Sequence, residues 1–178
     1  YGHNPAAVDA MCTVVDKLAE SDALGTNGKR ICVLSAPGDR RDEDIAETAR
    51  VAAGRFDHYI CRRDDHPRGR EDAEVPTMLR QTLLACGVDE SQIELIVSEE
   101  EAVEAALEKC QQGDLLLIFA DHIPRTWKQI VQRGESTDRN QSAETVGSAM
   151  NVEDTYPEFQ PPAGQKVVRD GRGVLLAV

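Results

Sequence analysis

Two residues stand directly before the first helical pattern of this chain, His3 and Asn4, in the run Tyr1-Gly2-His3-Asn4-Pro5. An imidazole and a carboxamide there can hydrogen-bond to a base or stack on it, and the free N–H groups of a helix N-terminus favour an anion. Asn is also a common N-cap, so Asn4 acting only as a cap accounts for the same placement. A second group is Ala36-Pro37-Gly38-Asp39-Arg40-Arg41-Asp42. Gly38 permits close backbone approach, and Arg40 and Arg41 can grip a phosphate or carboxylate, or pair with the neighbouring acids. The third is Arg62-Arg63-Asp64-Asp65-His66-Pro67-Arg68-Gly69-Arg70. There Asp64 and Asp65 suit a cationic group and Arg68 or Arg70 a carboxylate, a combination that fits an amino acid with a basic side chain. A solvated, salt-bridged loop has the same composition. The fourth is Ala120-Asp121-His122-Ile123-Pro124-Arg125, where Asp121 can join the same site and a lone His is more often structural.

These groups fall at the ends of short apolar runs, where an open α/β sheet binds its ligands. Arg30–Ala36, Asp57–Arg62, Ile93–Val97 and Leu115–Ala120 read as strands. Near-continuous apolar runs of this kind are typical of strands buried on both faces. Between them, helical spacing covers Pro5–Glu20, Asp42–Gly54, Val75–Cys86 with Gly87 as its stop, and a segment opened by Ser98 as N-cap, with Glu101 completing a capping box. That last helix ends near Gly113, and a short helix through Trp127, Ile130 and Val131 closes the unit. The loop after Ile93–Val97 carries only acids and receives little weight as a site.

The alternation predicts an α/β fold: a Rossmann-like, mostly parallel sheet with helices on both faces, plus a C-terminal hairpin appendage. Residues 1–133 are expected to form this domain. Residues 134–178 are expected to be a polar linker and a β-hairpin, signalled by two apolar runs around Asp170-Gly171. The missing initiator Met suggests a piece of a larger chain.

Bulk properties narrow the function. A net charge of −12 at pH 7 disfavours a nucleic-acid partner. No apolar run approaches the roughly 20 residues that cross a bilayer, so no membrane is expected. Cys12, Cys32, Cys61, Cys86 and Cys110 form no CxxC pair and each lies in an apolar stretch. They read as core residues in a reducing, cytoplasmic setting rather than as zinc ligands. Gly25-Thr26-Asn27-Gly28-Lys29 imitates a phosphate loop, but Arg30 follows the Lys and the segment leads into a strand, so it reads as a turn. No spacing suggests a catalytic nucleophile or a metal site.

Taken in order, the four loops resemble the C-terminal domain of the Mur ligase family. Tyr1-Gly2-His3-Asn4-Pro5 is similar to that family's Asp-Tyr-Ala-His-Asn-Pro motif without its leading Asp, and Gly38-Asp39-Arg40 to its Gly-Gly-Asp-Arg loop. Asp65-His66-Pro67-Arg68 resembles Asp-Asn-Pro-Arg of the branch that adds a diamino acid, and Gly113-Asp114-Leu115-Leu116-Leu117-Ile118 its Gly-Asp-x-x-Leu-Ile strand. The resemblance implies a ligase that phosphorylates a carboxylate with ATP and lets an amine attack the acyl phosphate. ATP would be the cofactor, with Mg²⁺ held mainly by a central domain outside this chain. His3 and Asn4 would contact adenine and ribose, with Asp39 and Arg40 near the phosphates or the incoming amino acid. Asp64, Asp65, His66, Arg68 and Asp121 would serve the amino-acid pocket. The change to His66, and Asp121-His122-Ile123-Pro124 in place of Lys-Gly-His-Glu, point away from diaminopimelate. The longer runs Ser35–Ile45, Phe56–Asp65 and Leu115–Asp121 resemble the branch that joins arginine to the side-chain carboxylates of an aspartate polymer. On this reading the isolated domain is inactive, and the full-length protein is a homo-oligomer. A non-catalytic nucleotide-binding or interaction domain, and a Mur-type ligase for another amino acid, are the competing readings.

Overall fold

The computed structural model describes residues 3–20, 28–141, 166–170 and 173–177, with side chains described between residues 3 and 134. The polar stretch 142–151, most of the imitation phosphate loop and the turn at Gly171 lie outside the described residues. The chain divides by contact into two units, Tyr1–Gln141 and Ser142–Val178.

In the first unit, helix α1 (Pro5–Glu20) precedes β1 (Arg30–Leu34), α2 (Asp42–Ala52), β2 (His58–Cys61) and α3 (Glu74–Ala85). Then come β3 (Ile93–Leu95), α4 (Glu99–Lys109), β4 (Leu115–Ile118) and α5 (Ile123–Gln141). The four strands form one sheet in the order β3-β2-β1-β4, every neighbouring pair parallel. Side-chain alternation along β1 explains the two layers. Cys32 and Leu34 face a core built with Val8, Cys12 and Val15 of α1, Ile45 and Ala49 of α2, and Leu79 and Leu83 of α3. Ile31 and Val33 face the other way, onto Ala102 and Ala106 of α4. Each large aliphatic side chain so buried contributes roughly 1.5–3 kcal/mol.

The α/β class, the parallel sheet and helices on both faces agree with the sequence reading. Several boundaries differ for physical reasons. Strand β4 is half-buried along its length rather than enclosed, because it is an edge strand. Cys86 is exposed, not in the core. It follows the end of α3, where Gly87 takes φ 89° and the Val88 N–H reaches the Leu83 carbonyl, closing the helix in a Schellman-type turn. Ser98 accepts from the Glu101 N–H at 3.5 Å, while a two-way capping box forms between Asp89 and Gln92, at the single 3-10 turn (Glu90–Gln92) that precedes β3. Helix α5 continues past Gly134 to Gln141. It joins α4 through polar contacts, Gln129 to the Glu100 carbonyl and Arg133 to Glu104, and leaves Ile123, Trp127 and Val131 exposed.

Among the described residues of the second unit, β5 (Lys166–Asp170) pairs antiparallel with β6 (Gly173–Ala177).

Candidate functional site

All four sequence-selected loops follow a strand or precede the first helix, and the described ones come together at the carboxyl ends of β1, β2 and β4. The first loop is pinned at both of its described residues. The Asn4 Oδ1 accepts the Ala7 N–H at 3.0 Å, so Asn4 caps α1 and keeps its amide N–H₂ as a spare donor. His3 is 6% exposed. Its Nε2 lies 3.2 Å from the Ala120 carbonyl oxygen and its Nδ1 lies 3.6 Å from Asp64 Oδ1.

Beside this loop opens a cleft of about 340 Å³ lined by His3, Asn4, Pro5, Ala36, Arg40, Asp44 and Thr48. Asp44 is engaged by Arg41 at 2.9 Å, and the Thr48 hydroxyl donates to the Asp44 carbonyl. Arg40 is exposed and makes no side-chain ion pair among the described residues. The cleft therefore offers an uncommitted guanidinium near the N-terminus of α1, a combination that favours an anionic ligand.

The second and third loops are stapled together. Arg68, at φ 53°, donates to Asp39 Oδ2 at 2.8 Å and holds that carboxyl below its ordinary value. Arg70 reaches back to the Gly38 and Arg40 carbonyls and to Asp42, while also pairing with Glu74. Gly38 is needed for this approach: a Cβ there would overlap the Pro67 carbonyl oxygen. Arg70 thus acts as the staple, and His66 stands exposed at the tip of the third loop.

The third and fourth loops meet at carboxylates. The Asp65 N–H donates to Asp121 Oδ2 at 3.1 Å, and Asp65 Oδ2 takes the Arg125 guanidinium at 2.7 Å. Asp64 turns the other way. It is 1% exposed and faces His3, so it sits behind the first loop and not beside the Asp65 carboxylate.

Beneath these loops lies an ionic network that sequence reasoning missed. Arg62 and Glu99 are both fully buried and pair at 2.7 Å. Glu99 also accepts the Asp121 and His122 N–H groups, the Thr126 hydroxyl and Arg125. Arg62 also donates from its two terminal nitrogens to the Arg63 and Phe119 carbonyls, while its buried Nε has no partner among the described residues. Burial opposes ionisation of Glu99, but the Asp121 N–H, Arg62, Thr126 and Arg125 outweigh it and bring its carboxyl down to about 2. Burial pulls the Arg62 guanidinium down, and Glu99 and nearby aspartates oppose that. One signal in the sequence points here: an arginine continuing the buried run Tyr59-Ile60-Cys61 needs an acidic partner wherever the fold can supply one.

Loops gathered at the strand ends of a parallel sheet, with an anion-favouring cleft and, among the described residues, no nucleophile–base pair, define a ligand-binding α/β domain. The family described as Mur ligase, glutamate ligase domain, matches residues 1–122, and the chain belongs to that family. Among named proteins it is similar to cyanophycin synthetase. The Crocosphaera subtropica enzyme is 34% identical over 133 residues, covering 75% of this chain and 14% of that protein. The Nostoc sp. enzyme is 32% identical over 149 residues, covering 82% of this chain and 16% of that protein. A UDP-N-acetylmuramoyl-L-alanyl-D-glutamate--2,6-diaminopimelate ligase from Zymomonas mobilis is 29% identical, covering 76% of this chain and 24% of its own length. The chain thus spans a small part of the relatives it matches. In three dimensions it resembles a solved diaminopimelate ligase of the same name with TM-score 0.55 at 19% identity, covering 79% of this chain and 28% of that one. It also resembles E. coli FolC in complex with ADP, with TM-score 0.52 at 21% identity, covering 76% and 28%. Both likenesses establish the shared fold.

Proposed function

We propose that this domain forms one wall of the site of an ATP-dependent, amide-forming amino-acid ligase. In that reaction a carboxylate oxygen takes the γ-phosphoryl group, releasing ADP. The amine nitrogen then attacks the acyl carbon, phosphate leaves, and the amine loses a proton. Such chemistry depends on positioning and charge neutralisation more than on a protein nucleophile, in keeping with a site that has none among the described residues.

The observation that carries this reading is the pairing of two differently charged sites at one sheet edge. The cleft at His3, Asn4 and Arg40 suits the nucleotide: Asn4 keeps an amide donor for a base, and Arg40 is uncommitted. Next to it, Asp65, Glu99 and Glu100 gather around a guanidinium, that of Arg125, and Asp121 accepts the Asp65 N–H. An environment that accepts one guanidinium suits arginine as the incoming amino acid and disfavours glutamate, whose carboxylate would meet like charge. Resemblance to cyanophycin synthetase supports arginine and an aspartate-containing polymer as the substrates. Mg²⁺ fits poorly here, because Asp44, the carboxylate lining the cleft, is committed to Arg41, and Asp39, outside that lining, is committed to Arg68. The ion is assigned to another domain of the full-length protein.

Titrating ADP into the chain while following backbone amide resonances tests the nucleotide side. The expected shifts fall on His3, Asn4, Arg40 and Thr48, with Ala102 and Ala106 silent. Shifts confined to α4 and α5, or none at millimolar ADP, would remove the nucleotide from this cleft.

A further inference from the structure

His3 bridges three of the four loops with one side chain. It belongs to the first loop, its Nε2 meets the Ala120 carbonyl of the fourth, and its Nδ1 meets Asp64 of the third. Both partners are hydrogen-bond acceptors. A neutral imidazole carries one N–H and can satisfy one of them, whereas an imidazolium satisfies both.

Asp64 makes the same demand from the other side. It is 1% exposed, and neither of its oxygens has a hydrogen-bond donor within reach among the described residues. A carboxylate this deep needs a counter-charge. Arg62 lies in the same region and adds positive charge near Asp64, but its terminal nitrogens go to Glu99 and to the Arg63 and Phe119 carbonyls, and it makes no hydrogen bond or ion pair with Asp64 among the described residues. His3 is the group facing Asp64, and 3.6 Å exceeds hydrogen-bond length by only a few tenths of an ångström.

The geometry points to a buried imidazolium–carboxylate pair between His3 and Asp64 that ties the nucleotide-side loop to the amino-acid-side loop. Both ring nitrogens are then engaged inside the protein. His3 offers the cleft a positively charged ring and no hydrogen bond to a base, while Asn4 keeps the donor. Asp64 becomes a positioning residue, acting on the nucleotide through His3. Directly behind it in sequence, Asp65 holds Arg125 and the Asp121 side chain, so movement of one loop is felt at the other.

Electrostatics support the geometry. Asp64 raises the His3 pKa above its ordinary 6.5; burial and Arg62 oppose the rise, and the Ala120 carbonyl assists it. Across the cleft stand Arg40, which opposes the charge, and Asp44, which is already paired with Arg41. A group whose folded pKa is raised stabilises the fold fully below its unfolded value, and loses that contribution as pH rises through the folded value. The pair therefore weakens on the alkaline side of 6.5.

The consequence for nucleotide rests on the function proposed above; the pair itself does not. The test is a ¹⁵N imidazole NMR titration of the 178-residue chain, with His3→Gln to assign the signal among four histidines. The expected result is a His3 ring protonated at both nitrogens at neutral pH, titrating above its ordinary 6.5 and moved to lower pH in Asp64→Asn. A single-tautomer neutral His3 at neutral pH overturns the pair, and so does a charged His3 whose titration is unchanged in Asp64→Asn. Should Asp64→Asn not fold, urea unfolding against pH decides. The wild type should lose stability as pH rises past 6.5 and His3→Gln should lose this component; an unchanged slope overturns the pair. ADP should bind several-fold more weakly to Asp64→Asn. Equal ADP affinity in a variant that has lost the imidazolium removes the coupling while leaving the pair, and absence of ADP binding to wild type strikes the functional reading instead.

Discussion

Replacing Glu99 with alanine is expected to destabilise the domain by about 3–5 kcal/mol, the range for breaking a buried ion pair from one side. The size follows from what is stranded. Arg62 has no exposed surface to turn to, and its guanidinium would keep only two backbone carbonyls. The Asp121 and His122 N–H groups and the Thr126 hydroxyl would lose their acceptor as well. Urea unfolding monitored at Trp127 reads the loss directly. A change below about 1 kcal/mol, the ordinary value of an exposed pair, would mean that the network is not buried as described. Replacing both partners by apolar residues, Arg62→Met with Glu99→Leu, should recover only part of the loss, because the orphaned N–H groups remain. The same network sets an acid limit. Glu99 is depressed from 4.5 to about 2, so its contribution is present above 4.5 and disappears as pH falls toward 2. A shift of that size corresponds to roughly 3 kcal/mol.

The second large effect is expected at Asp65. In the full-length protein, Asp65→Ala should raise the KM for arginine roughly 10- to 100-fold, since a hydrogen bond to a charged group contributes about 1.5–3 kcal/mol. The KM for ATP should move little, because the cleft proposed for the nucleotide is lined by other residues. Asp65 is partly exposed and lies outside the apolar clusters, so the variant should fold. Losing Asp65 also frees Arg125, and Arg125→Gln controls for that. If Asp65 acts on the substrate, the rise appears in Asp65→Ala and not in Arg125→Gln. Equal responses, or an unchanged arginine KM, would place the cationic group elsewhere.

Much of the fold was legible in local pattern. Arg30–Ala36 and Leu115–Ala120 read as strands because continuous apolar runs need burial, and the strands found are Arg30–Leu34 and Leu115–Ile118; Gly87 marked the end of α3 because the backbone there turns left-handed. Strand order was not legible, since β1 lies between β2 and β4 through pairing that no local window records. The exposed Cys86 shows the limit of reading burial from composition, for its place is set by the helix end. At the site, His3, Asn4, Asp65 and Asp121 were selected by position before or after regular elements. Glu99 was passed over because it opens the run Glu99-Glu100-Glu101, ordinary acids for a helix first turn. Only tertiary structure shows that the first is buried on Arg62 while Glu100 is largely exposed. Asn4 shows that two readings can both hold: its oxygen caps the helix and its nitrogen stays available.

The central claim, a ligase domain whose partner amino acid is cationic, is tested most directly by amino-acid-dependent ADP release from the full-length protein. With ATP, an aspartate-containing polymer and single amino acids supplied in turn, the account predicts release that depends on arginine, with the arginine ending in amide linkage to the polymer. Release that depends instead on glutamate or diaminopimelate, or on no amino acid at all, would contradict it.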